Sequence, residues 1–125
     1  MYSAKVMDHF QNPRNVGEMP EADALGKAGS PTCGDILRLY LKFTGGRVAK
    51  ATFKTFGCGA AIATSSVLTE IVLGKTPEEL RAITNLQVAE ALGGLPPIKM
   101  HCSVLAEEAL RSALADWAQK NRSAA

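Results

Sequence analysis

No apolar run in the 125-residue sequence approaches the roughly 20 residues of a membrane helix, and the mixed polar start Met1-Tyr2-Ser3-Ala4-Lys5 has no signal-peptide core. No membrane association and a cytoplasmic location are therefore expected. Cysteine is scarce and odd in number, at Cys33, Cys58 and Cys102. Without a secretion signal, that points away from a disulfide framework and towards reduced thiols, metal binding or catalysis. No CxxC occurs, which removes the ferredoxin and zinc-ribbon patterns. The lysines and arginines are dispersed around a formal net charge of +2, with no basic run and no interleaved aromatics. Nucleic acid is not an expected partner.

What is present suits one compact domain over residues 1–125, since 46% hydrophobic and 21% charged residues supply a core and a solvated surface. Tyr2 to Phe10 can form a short helix ended by Asn12-Pro13. Gln11 to Thr32, with Gly17, Pro20, Gly26, Gly29 and Pro31, reads as a long irregular connection. Ile36 to Phe43 then alternates, with Leu37, Leu39, Leu41 and Phe43 on one face. Thr44-Gly45-Gly46-Arg47 signals a hairpin, and Val48 to Phe56 alternates again, with Ala49, Ala51 and Phe53 opposite Lys50, Thr52 and Lys54.

Four helical segments follow. Ala60 to Leu73 is alanine-rich and stopped by Gly74, and Thr76-Pro77-Glu78-Glu79 is a capping box that opens a short helix. Asn85 is expected to cap another up to Leu92, before Gly93-Gly94. Ser103 to Asn121 is the longest, with Leu110, Leu114 and Trp117 on its inner stripe. Strands precede helices without βαβ alternation, and no repeat intervenes. The fold class is α+β, a small antiparallel sheet with helices packed on one face.

Each cysteine lies in a turn beside glycine or proline, outside any apolar stripe. Cys33-Gly34-Asp35 ends the long loop, and Gly57-Cys58-Gly59 joins a strand to a helix. The stiff run Leu95-Pro96-Pro97-Ile98-Lys99-Met100-His101-Cys102-Ser103 delivers an adjacent His-Cys pair to a helix start. Such a setting presents a thiolate rather than burying it, and helix-start amides favour negative charge on sulfur. Thiolates are soft ligands for zinc and iron–sulfur clusters, and imidazole or carboxylate can complete a fourth position. Three distant turns would have to meet.

Those three motifs, with Phe53-Lys54-Thr55-Phe56 leading into Gly57-Cys58-Gly59, occur in the order found in the IscU/NifU-type iron–sulfur cluster assembly scaffolds, which the chain resembles from Asn12-Pro13-Arg14-Asn15 to its last helix. The resemblance implies a SufE/NifU/IscU-like fold and a carrier rather than an enzyme. It implies that Cys33, Cys58 and Cys102 hold a transient [2Fe-2S] cluster, with Asp35 and His101 as alternative fourth ligands or modulators of release. A cysteine desulfurase would supply sulfur and apo iron–sulfur proteins would accept the cluster, with the chain a monomer or a homo-oligomer on loading. Leu95, Pro96, Pro97, Ile98 and Lys99 match the segment recognised by the family's dedicated Hsp70-type chaperone, so Hsp70/J-type chaperones are further implied partners.

Other readings compete. A Cys3His or Cys3Asp set also suits Zn2+, so the alternative is a zinc-containing SufU-like sulfur acceptor that stimulates a desulfurase. His101 and the short Cys58 to Cys102 segment both differ from the SufU pattern. A Cys-His thiol hydrolase is disfavoured because adjacent side chains on a helix diverge by about 100°. Gly74-Lys75-Thr76 resembles the end of a Walker A motif, but Thr69 stands where its first glycine is required. Glu78-Glu79 and Glu107-Glu108 read as acidic residues in early helical turns. His9 reads as a helix residue without catalytic duty, and Lys99 as either a solvated side chain or a functional cation.

Overall fold

The hairpin forms where both strands alternate and two glycines can take left-handed backbone. Gly45 (φ +62°) and Gly46 (φ +79°) make the turn between paired Thr44 and Arg47. The computed structural model describes residues 3–30, 35–57, 59–95 and 100–124. Its elements are α1 (Ala4–Gln11), β1 (Ala24–Ser30), β2 (Asp35–Thr44), β3 (Arg47–Phe56), α2 (Gly59–Val72), α3 (Pro77–Arg81), α4 (Asn85–Ala91) and α5 (Met100–Ala124). The sheet is antiparallel in the order β1-β2-β3.

Helices cover one face of this sheet, with α5 over β1 and β2 and α2 over β3. Leu37, Leu39, Leu41 and Phe43 of β2 are buried there with Val48, Ala51 and Phe53 of β3. One expected inward residue is not inward. Val48 pairs with Phe43 and Lys50 with Lys42, so Ala49 is the extra residue of a bulge and is exposed. Phe43 closes this end of the core by stacking on Trp117 of α5, with ring centroids 4.3 Å apart.

The expected irregular stretch from Gln11 to Thr32 contains a strand. β1 has two glycines and no β-branched residue, so its sequence carries no strand signal. Tertiary contact creates it. A Cβ on Gly26 would lie 1.9 Å from the Ala109 carbonyl oxygen, so only glycine lets β1 approach the backbone of α5 this closely. The outer edge of β1 is also covered by α5: Leu25 N–H donates to Asp116 Oδ2 (2.8 Å) and Lys27 N–H to Ser112 Oγ (3.0 Å).

Before β1 the chain runs along the free edge of β3, where Phe53 N–H donates to Asn15 O (3.0 Å) and Gly17 N–H to Phe53 O (2.8 Å). β1 lies at the opposite edge, so residues 17–23 cross the sheet on the face without helices. Lys54 and Lys42 meet this strap, at Glu18 Oε1 and the Glu21 carbonyl, both at 3.4 Å. Met19 is buried in the crossing, and so are the outward-facing Tyr40 and Thr52.

The helix starts follow capping chemistry with small shifts. The box at Thr76 and Glu79 is present. Thr84, not Asn85, caps α4: its hydroxyl accepts from Gln87 N–H while Gln87 Oε1 accepts from Thr84 N–H. The Asn85 N–H instead donates to Glu107 Oε1 (3.0 Å). α1 begins after its cap Ser3, and Tyr2 lies outside the described residues. α5 begins at Met100 rather than Ser103, which puts His101 and Cys102 inside its first turn.

Candidate metal centre

Register places the neighbours of the three cysteines at one end of the molecule. Asp35 is the first residue of β2, and the next residue, Ile36, pairs with Phe56, the last of β3. α2 begins at Gly59, three positions on. Cys102, in the first turn of α5, lies against Ala60 and Ala61 of the first turn of α2, with Leu95 alongside. Thus the start of β2, the end of β3 and the starts of α2 and α5 converge.

Two helix N-termini directed to one place give a positive electrostatic environment there, and neither first turn contains an acidic residue to cancel it. That field favours thiolate over thiol and an anionic group over a neutral one.

Cys102 corrects one expectation. The proline-rich approach predicts a presented thiol, yet Cys102 is 0% exposed and lies on the buried stripe of α5 with Ala106, Ala109 and Ala113. The cause is local volume. Ala60 and Ala61 carry only methyl groups, which leaves space for a sulfur atom, and cysteine behaves as a small hydrophobe.

Cys33, Cys58, Pro96, Pro97, Ile98 and Lys99 lie outside the described residues. Asp35 and His101 are placed by backbone only, as the first residue of β2 and the second of α5. Among the described residues no three His, Cys, Asp or Glu side chains form a metal cage. Leu95 is half-buried and touches both the main core and the small cluster around Cys102.

The sequence gives His9 no evident duty, but it is a structural hub. His9 Nδ1 lies 2.7 Å from Ser66 Oγ, which also accepts the Arg14 N–H (2.9 Å), and His9 Nε2 lies 3.3 Å from Glu70 Oε1. Burial holds its pKa below the ordinary imidazole value, and Arg14 adds to this against the opposing pull of Glu70 and Asp8. Asn15 Nδ2 donates to Thr69 Oγ1 (3.0 Å), so residues 9–15 are fastened to one face of α2. A Cβ on Gly59 would meet the Phe10 ring at 3.1 Å, so α1 also covers the start of α2. Polar residues at 66, 69 and 70, on successive turns of an otherwise apolar helix, are the signal that could have marked this contact.

Comparison with known proteins agrees with this architecture. The chain is 58% identical over 121 residues to the iron-sulfur cluster assembly scaffold protein IscU 1 of Archaeoglobus fulgidus, covering 97% of this chain and 79% of the relative. It is 51% identical over 123 residues to the iron-sulfur cluster assembly scaffold protein IscU of Haemophilus influenzae, covering 95% and 97%. The crystal structure of a nitrogen-fixing NifU-like protein (N-terminal) from Brucella abortus has the same fold, with a TM-score of 0.75 at 22% identity over 94% of each chain. With residues 1–124 matched by the NifU-like N terminal domain, and half or more of its positions identical to these relatives, the chain belongs to that family.

Proposed function

We propose that this protein is a scaffold on which an iron–sulfur cluster is assembled and from which it passes to apoproteins, a carrier rather than an enzyme. The observation that carries this reading is identity of 58% and 51%, over nearly the whole chain, to proteins named as such scaffolds. The convergent helix starts beside Cys102 supply a physical basis, because an assembling cluster is anionic.

In this reading Cys33, Cys58 and Cys102 supply three thiolates and the cargo is [2Fe-2S]. Three thiolates on a core of formal charge +2 leave −1, and a neutral His101 in the fourth position leaves less charge to solvate than a fourth thiolate. Asp35, at the start of β2, is the competing oxygen ligand or the route by which water and acceptor thiols enter. One exchangeable ligand makes the cluster easier to surrender than a four-cysteine site would. A cysteine desulfurase supplies sulfur, apo iron–sulfur proteins receive the product, and Leu95 to Lys99 is the segment a chaperone binds. The location is cytoplasmic.

The test is anaerobic incubation with ferrous iron, cysteine, a thiol reductant and catalytic cysteine desulfurase, followed by iron, zinc and acid-labile sulfide per chain. Near-equal iron and sulfide, with any zinc displaced, is the expected result. Zinc retained without labile sulfide would replace the scaffold by a zinc-dependent sulfur acceptor.

A further inference from the structure

Lysines and arginines that are dispersed in the sequence are gathered by the fold. On the helix-free face Lys27 pairs with Arg38 across β1 and β2, and Arg38 pairs with Lys54 across β2 and β3. All three are exposed and form one row across the sheet. Lys42 and Lys50 pair in a second row beyond the strap. Lys54 is matched by Glu18, and Lys27 lies near enough to Asp116 of α5 to help lower its carboxyl pKa; among the described residues neither Lys27 nor Arg38 has a carboxylate within ion-pair distance. The molecule carries a formal net charge of only +2, and five of its 14 lysines and arginines share this face. Like charges directly opposite across strands weaken a sheet, so folding alone does not favour this row.

The next row towards the candidate metal centre is apolar and open. Ile36 and Phe56 are cross-strand partners, 49% and 77% exposed, and with Arg38, Lys54, Thr55 and Glu18 they line a cavity of about 170 Å³. This apolar pair lies between the cationic row and the end of the sheet where Asp35 begins β2, so a protein seated here would reach the site.

We propose that this face docks an acidic cluster-accepting protein, with Lys27, Arg38 and Lys54 meeting its carboxylates and Ile36 and Phe56 its apolar contact; the inference rests on the scaffold reading above. A second copy of this chain is the wrong occupant, because two such faces would oppose cation to cation. Nucleic acid is disfavoured by the narrow row, the acidic Glu18 within it, and a single exposed ring on which a base could stack.

The probe is a plant-type apo [2Fe-2S] ferredoxin, an acidic acceptor. The protein and its Lys27→Glu/Arg38→Glu variant are loaded chemically with ferric iron and sulfide under anaerobic conditions, without a desulfurase, and transfer is followed by circular dichroism at several acceptor and salt concentrations. In the double variant residues 27 and 38 remain a like-charge pair, now acidic, while residue 38 gains an opposite charge across from Lys54. Thermal unfolding checks that the variant remains folded. At low ionic strength the second-order transfer rate should fall about tenfold in the variant and converge on that of the parent as salt rises, the behaviour of steered association. Arg38→Lys should transfer normally. Equal transfer by parent and double variant, both fully loaded, would overturn the docking inference and leave the scaffold reading standing. Failure of the parent itself to load would overturn both. Tight binding of a mixed-sequence single-stranded oligonucleotide, abolished by the double variant, would reassign the face to nucleic acid and overturn the inference.

Discussion

The Ser66 hydroxyl lies 2.7 Å from His9 Nδ1 and bridges that imidazole to the Arg14 amide. The ionised Glu70 carboxylate, 3.3 Å from Nε2, can only accept, so it favours the neutral ring with its hydrogen on Nε2; Nδ1 then accepts from the Ser66 hydroxyl, whose oxygen also accepts the Arg14 amide. The neutral ring therefore satisfies both nitrogens inside a buried contact between α1 and α2.

A pH dependence follows. His9 has a folded pKa below its reference value of 6.5, so the unfolded chain binds the proton more readily. The contribution is fully present above about pH 6.5 and is lost as pH falls through the folded pKa. Urea midpoints should decline between pH 7.5 and pH 5.5, and His9→Gln should flatten that decline. An equally steep decline in the variant would place the titration elsewhere.

Gly26 makes a sharper steric demand. A methyl group at residue 26 would overlap the Ala109 carbonyl at 1.9 Å and approach the Ala113 amide at 2.8 Å, and helix backbone cannot rotate aside as a side chain can. Gly26→Ala should cost roughly 3 kcal/mol or more in urea unfolding. Gly45, where a Cβ would meet nothing within 4 Å, supplies the control for added volume, although its positive φ adds turn strain to any substitution. A loss under about 0.5 kcal/mol at position 26 would mean that β1 does not sit against α5 as described.

The same glycine explains what the sequence left illegible. The β2–β3 hairpin was readable because its strands alternate and its turn carries Gly45-Gly46, both local signals. β1 was not, because Ala24 to Ser30 becomes a strand only through β2 and α5. The inward position of Val48 and outward position of Ala49 depend on a bulge that no alternation rule locates. At the site, the helix-start position of Cys102 was legible from the proline-rich approach, whereas its burial depended on the small size of Ala60 and Ala61 on another helix. His9 was missed because its partners lie far along the chain, on α2.

Capping is testable at α4. Thr84→Ala removes the hydroxyl that accepts from Gln87 N–H and dissolves the reciprocal box. The expected loss is about 1 kcal/mol by chemical denaturation, and Thr84→Ser should recover most of it. Asn85→Ala should cost less than Thr84→Ala, because the Asn85 contact that reaches Glu107 is its backbone amide. The reverse order would restore residue 85 as the cap.

Burial of Cys102 sets an order of events for loading. Cys102 is buried, with Ala60, Ala61 and Leu95 packed against it, so metal reaches the sulfur only after a local opening. Iodoacetamide labelling of the metal-free protein, read on the peptide containing residue 102, should be slower than in the urea-unfolded chain by at least about tenfold, corresponding to a local opening of about 1.4 kcal/mol. Ala61→Gly removes a methyl group from around the sulfur and loosens the first turn of α2, so it should speed labelling of Cys102. If the parent labels as fast as the unfolded chain, the thiol is presented to solvent as the proline-rich approach alone suggested, and loading needs no opening.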